Sequence, residues 1–87
     1  MTERPDMHVD VFAFAQAREA IGAARVRLAL PAGSRVSDAI ALLAGRHPAL
    51  GAIVPHLAVA VDRELVKGER VLADGAEVAL LPPVSGG

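Results

Sequence analysis

Residues His8 to Ala15 alternate in character. Val9, Val11, Ala13 and Ala15 fall on one side, and His8, Asp10, Phe12 and Phe14 on the other. A period of two predicts a strand with one face in a core and one wetter face. Ala24 to Leu30 alternates again, with Val26, Leu28 and Leu30 inward and Arg25, Arg27 and Ala29 outward. Gln16 to Ala24 between them reads as a short helical turn or loop, so the two strands should form a hairpin.

Pro31-Ala-Gly-Ser34 breaks the second strand. Val36, Ala39, Ile40, Leu43 and Ala44 then follow helical spacing and form one apolar stripe. This predicts a helix from about Val36 to His47, with Ser34, Ser37 and Asp38 available to cap its start. Pro48 disfavours helical geometry at the residue before it. Ala49 to Pro55 reads as an irregular connection. Leu57 to Val61 is nearly all apolar, as expected of a centrally placed strand. Asp62-Arg-Glu64 is a polar turn, Leu65-Val66 begins a short return strand, and Lys67 to Arg70 is a solvated loop. Asp74-Gly75 signals a turn. Glu77 to Leu81 is the last strand, with Val78 and Leu80 on one face and Ala79 and Leu81 on the other. Pro82-Pro83 ends it, because neither residue donates a backbone hydrogen bond.

The order is two strands, one main helix, two strands and a final strand. The expected class is α+β, a β-grasp: a small mixed sheet with the helix packed across one face and the last strand beside the first. Residues 1–6 read as a disordered leader, 7–82 as the domain, and 83–87 as a flexible tail.

Composition narrows the chemistry. The 87 residues contain no cysteine, which excludes disulfides, cysteine-ligated metals and a cysteine nucleophile. The net charge of −1 offers no basic surplus for nucleic acid. No apolar run has membrane-spanning length and no signal-peptide apolar region is visible, so no membrane partner is expected and a cytoplasmic location is the default. His8, His47 and His56 show no metal-ligand spacing. The serines have no nucleophile-elbow context, and Gly68 and Gly75 lie in separate turns.

The tail stands apart. Two terminal glycines arise by chance about once in 200 chains, a weak signal alone. Here they follow a strand and a stiff Pro82-Pro83 root, after which Val84-Ser85 leads to Gly86-Gly87. Glycine lacks Cβ, so such an end suits a narrow channel in another protein. A carboxylate is a poor electrophile. Adenylation by ATP would activate it, and sulfur attack would leave a thiocarboxylate that delivers sulfur without any cysteine. The second feature is apolar. Phe12, Phe14 and Leu81 share outward parity and would form one patch if the first and last strands are neighbours. Irregular segments could cover that face; a docking patch beside the tail root is the favoured reading.

Val11-Phe-Ala-Phe-Ala-Gln-Ala-Arg-Glu19, Val59-Ala-Val-Asp62 and Asp74-Gly-Ala-Glu-Val78 running into Leu80-Leu-Pro-Pro-Val-Ser-Gly-Gly87 resemble the MoaD-type sulfur carriers, the small subunits of molybdopterin synthase. The resemblance covers nearly the whole chain from about Met7, and the closing Pro-Pro-Val-Ser-Gly-Gly is its most specific part. It implies a ubiquitin-like β-grasp. It also implies that Gly87 is adenylated by a MoeB-like activating enzyme, which consumes ATP, and is then thiocarboxylated. The tail would enter a MoaE-like large subunit and pass sulfur to cyclic pyranopterin monophosphate in molybdenum cofactor biosynthesis. Gly86 and Gly87 would be the reacting end. Phe12, Phe14, Leu81, Pro82, Pro83, Val84 and Ser85 would contact partners. In the family an aromatic residue stands at the position of Phe14 and touches the partner; position 81, Leu here, is commonly aromatic. No permanently bound cofactor and no catalytic side chain are expected in the chain itself. A ubiquitin-like protein modifier, a thiamin-type carrier and an interaction module with an inert tail are the alternatives.

Overall fold

In a computed structural model, residues 6–82 are described. The order is β1 (Asp6–Ala13), α1 (Ala15–Ile21), β2 (Arg25–Pro31), α2 (Val36–Arg46), α3 (Pro48–Ile53), a 3-10 turn (Val54–His56), β3 (Ala58–Val61), β4 (Glu64–Val66) and β5 (Glu77–Leu81). The strands form one mixed sheet in the order β2-β1-β5-β3-β4. β1 pairs antiparallel with β2 and parallel with β5, and β5 pairs antiparallel with β3. This is the expected β-grasp.

The alternation read from the sequence sorts the two faces. Met7, Val9, Val11 and Ala13 of β1, Leu28 and Leu30 of β2, and Val78 and Leu80 of β5 are buried. They meet Val36, Ala39 and Leu43 of α2, with Ala17 and Ile21 of α1 and Leu50 of α3 closing the ends. With no Trp or Tyr, this core is aliphatic throughout.

Several expectations are corrected. Asp6, assigned to the leader, begins β1 opposite Pro31. Ala15 is not an inward strand residue; the strand has already ended there, and Ala15 is exposed at φ 50°. The segment from Ala49 to Pro55 is not irregular. Pro48 ends α2 and also starts α3, because a proline at the first helical position lacks only an N–H that would be unbonded anyway. Leu50 then anchors α3, fully buried. β3 is interior, but the centre of the sheet is β5.

The start of α2 also differs. Asp38 Oδ2 accepts from the Arg35 N–H at 2.8 Å, as a capping residue should. Ser34 Oγ instead donates to the Pro31 carbonyl at 2.7 Å. The first N–H groups of the helix, from Val36 and Ser37, donate to the carbonyls of Arg70 and Gly68, each at 2.9 Å. The loop between β4 and β5 therefore caps α2. At the far end of that loop, Gly75 adopts φ 83° and clips onto β1. Its N–H donates to the His8 carbonyl at 2.7 Å, and Asp74 Oδ1 accepts from the His8 N–H at 2.8 Å.

Candidate functional site

β5 is the element that precedes the tail in the chain. It lies between β1 and β3, and the ladder ends at Leu81 because Pro82 has no N–H to continue it. Pro82 is exposed. Pro83, Val84, Ser85, Gly86 and Gly87 lie outside the described residues.

The parallel register of β1 and β5 sets Phe12 beside Ala79 and Ala13 beside Leu80. Phe12, Phe14 and Leu81 are therefore brought to one face next to the tail root. That face is open among the described residues: Phe14 is 48% exposed, while Phe12 and Leu81 are half-buried. Helices cover the opposite face of the sheet, so the docking-patch reading fits better than a covered one.

Phe12 and Phe14 form the wall of a hollow of about 220 Å³, completed by Ala60, Arg63, Glu77 and Ala79. The guanidinium of Arg25, opposite Phe12 in β2, sits 5.4 Å from the Phe12 ring centroid. The same group pairs with Asp10 at 3.2 Å. A cation over the ring face is attracted to its quadrupole, so this arrangement holds Phe12 in place.

Two neighbours of this face were not singled out from the sequence. Leu65 pairs with Ala60 across β3 and β4, which puts both side chains on the same side of the sheet. It is 68% exposed, the most open large hydrophobic among the described residues. The signal was present: a two-residue turn at Asp62-Arg63 fixes the register and hence the side on which Leu65 falls. Arg63 was hidden as part of a polar turn. A larger groove of about 790 Å³ lies against the helices, lined among others by Ile40, Val54, Leu57, Val59 and Val66, and Leu65 at the sheet edge borders this groove rather than the Phe12 and Phe14 hollow. Lys67 is the only titratable group in its lining.

Among the described residues no three His, Cys, Asp or Glu side chains gather as a metal site. No helix of the described residues is long and apolar enough to cross a membrane. The described geometry thus offers an apolar platform beside Pro82.

Comparison with known proteins agrees with this arrangement. The chain is 35% identical over 83 residues to the molybdopterin synthase sulfur carrier subunit of Chlamydomonas reinhardtii, covering 93% of this chain and 100% of that protein. It is 37% identical over 82 residues to small archaeal modifier protein 1 of Haloferax volcanii, covering 85% and 94% respectively. The crystal structure of SAMP1 from Haloferax volcanii matches with a TM-score of 0.82 at 34% identity, over 92% of this chain and 99% of that one. A model of the ThiS family matches residues 11–87, so the chain belongs to the ThiS/MoaD family of sulfur carriers with the ubiquitin-like β-grasp fold.

Proposed function

We propose that this chain is the sulfur carrier subunit of a molybdopterin synthase and that Gly87 carries the sulfur. The observation that bears most on this is the placement of the central strand β5. It delivers Pro82, the last described residue, beside the open apolar face of Phe12, Phe14 and Leu81, and Gly86-Gly87 follow it in the sequence.

The chemistry then follows from the carboxylate. A Gly87 oxygen attacks the α-phosphorus of ATP on a MoeB-like activating enzyme, and pyrophosphate leaves. Sulfide-level sulfur from a donor attacks the acyl carbon and AMP departs, which leaves the thiocarboxylate directly. The apolar face docks on a MoaE-like large subunit, which receives Pro83, Val84, Ser85, Gly86 and Gly87 in a channel. There the sulfur passes to cyclic pyranopterin monophosphate. Catalytic side chains belong to the partners, and the chain holds no permanent cofactor.

The test is intact mass spectrometry after incubation with the activating enzyme, ATP and a sulfur donor. An oxygen-to-sulfur mass increase confined to the C-terminus is expected, and deletion of Gly87 should abolish it with the fold intact. No increase with a competent activating enzyme would sink the proposal.

A second reading, a ubiquitin-like modifier joined through Gly87 to lysines of other proteins, is favoured by the 37% identity to small archaeal modifier protein 1. Lysine-linked conjugates in extract, with molybdenum cofactor synthesis unaffected by deletion of the chain, would decide for it. A thiamin-type carrier would instead show a thiamin requirement on deletion.

A further inference from the structure

Arg63 occupies a position that the fold alone does not explain. The turn between β3 and β4 has two residues, both left-handed: Asp62 at φ 49° and Arg63 at φ 73°. Such a type I′ turn favours Asn or Asp followed by Gly. Asp62 fits. Its Oδ1 accepts the Glu77 N–H at 3.0 Å, and its own N–H donates to the Glu77 carbonyl at 2.8 Å. Arg63 has no such reason to be there. A side chain with a Cβ is strained in this conformation. Among the described residues, Arg63 forms neither an ion pair nor a side-chain hydrogen bond.

What Arg63 does have is location. It lines the hollow with Phe12, Phe14, Ala60, Ala79 and Glu77, whose carboxylate it does not pair with, on the face that docks the partner in the reading above. The other arginine on this face beside Phe12, Arg25, is already engaged with Asp10 and the Phe12 ring. Arg63 is exposed and keeps its donors available. A guanidinium presents a planar fork that matches a carboxylate, and apolar surroundings strengthen the pairing once water is excluded.

We infer that Arg63 is a specificity-determining residue of the docking face, pairing with an acidic side chain of the large synthase subunit. This inference rests on the docking reading above. It explains why a residue unfavourable for the turn sits at its tip: fold stability is given up locally for recognition.

The experiment measures binding of the full chain to the isolated large subunit, with thermal unfolding in parallel. R63G should melt several degrees higher, because the strain is relieved, yet bind about tenfold more weakly at low salt. R63E should bind more weakly still. R63K should keep the wild-type melting temperature and an intermediate affinity. The difference between wild type and R63G should shrink as salt is raised. Unchanged affinity in R63G and R63E, with F14A weakened, overturns the role of Arg63 alone. Unchanged affinity in F14A as well overturns the docking reading beneath it. A melting temperature that does not rise in R63G removes the strain argument and with it the inference.

Discussion

The backbone N–H of Phe14 donates to the carbonyl of Leu80 at 3.2 Å. The exposed aromatic and the strand that leads to the tail are thus one hydrogen bond apart. The Phe14 carbonyl is engaged as well, accepting from Ala17 at 3.1 Å and from Arg18 at 3.4 Å at the start of α1. The ring is open to solvent while its backbone is fixed on both sides.

Phe14→Ala should therefore separate binding from folding. About half of the side chain is already exposed, so little core packing is lost. Aromatic anchors at the centre of an interface typically lose about 2 kcal/mol or more of binding on truncation. Calorimetric titration with the large subunit should show that loss, and the melting curve should barely move.

Leu80→Ala should do the reverse. Leu80 is fully buried at the sheet centre. Truncation of such a leucine costs about 2–5 kcal/mol. That is a large share of the roughly 5–15 kcal/mol that keeps a domain folded. Urea unfolding should show a much lower midpoint. Once folded at low temperature, the variant should still accept sulfur.

Gly22→Ala tests backbone geometry alone. Gly22 ends α1 at φ 83°, where its N–H donates to the Arg18 carbonyl at 2.8 Å. A Cβ there would meet nothing within 4 Å, so no clash arises. The expected loss is about 1–2 kcal/mol from the left-handed conformation, read by chemical denaturation.

Glu64→Ala is the contrasting case. Its 2.9 Å pair with Arg70 is well exposed on both sides. Solvent screening leaves such pairs nearly neutral, so the unfolding midpoint should stay within error of wild type.

Much of this architecture was legible in the residues. Alternation at Val9–Phe14 and at Val78–Leu81 assigned the faces, and parity grouped Phe12, Phe14 and Leu81 on condition that their strands are neighbours, which the sheet order meets. The less legible parts depended on distant partners. Ser34 and Ser37 were natural candidates to cap α2, but carbonyls of Gly68 and Arg70 do that work, and nothing local to the helix announces them. Pro48 was read as a stop, whereas a proline is equally suited to a start. For Arg63, the left-handed conformation comes from the hairpin register, and its meaning emerges only when β3 and β4 place it beside Phe12 and Phe14. The Gly86-Gly87 end was visible as sequence, whereas the central position of β5, the strand that precedes it, was not.

The central placement of β5 also has a mechanical meaning. In the proposed function, a chain end threaded into a partner is pulled out again after each delivery. Force applied at the carboxyl end runs along β5, which is held by four register pairs to β1 on one side and four to β3 on the other. Because the pull is parallel to the strand, those bonds are loaded together in shear, whereas an edge strand peeled sideways would lose them one at a time. In the proposed function, the end that is handled leaves from a strand moored on both sides.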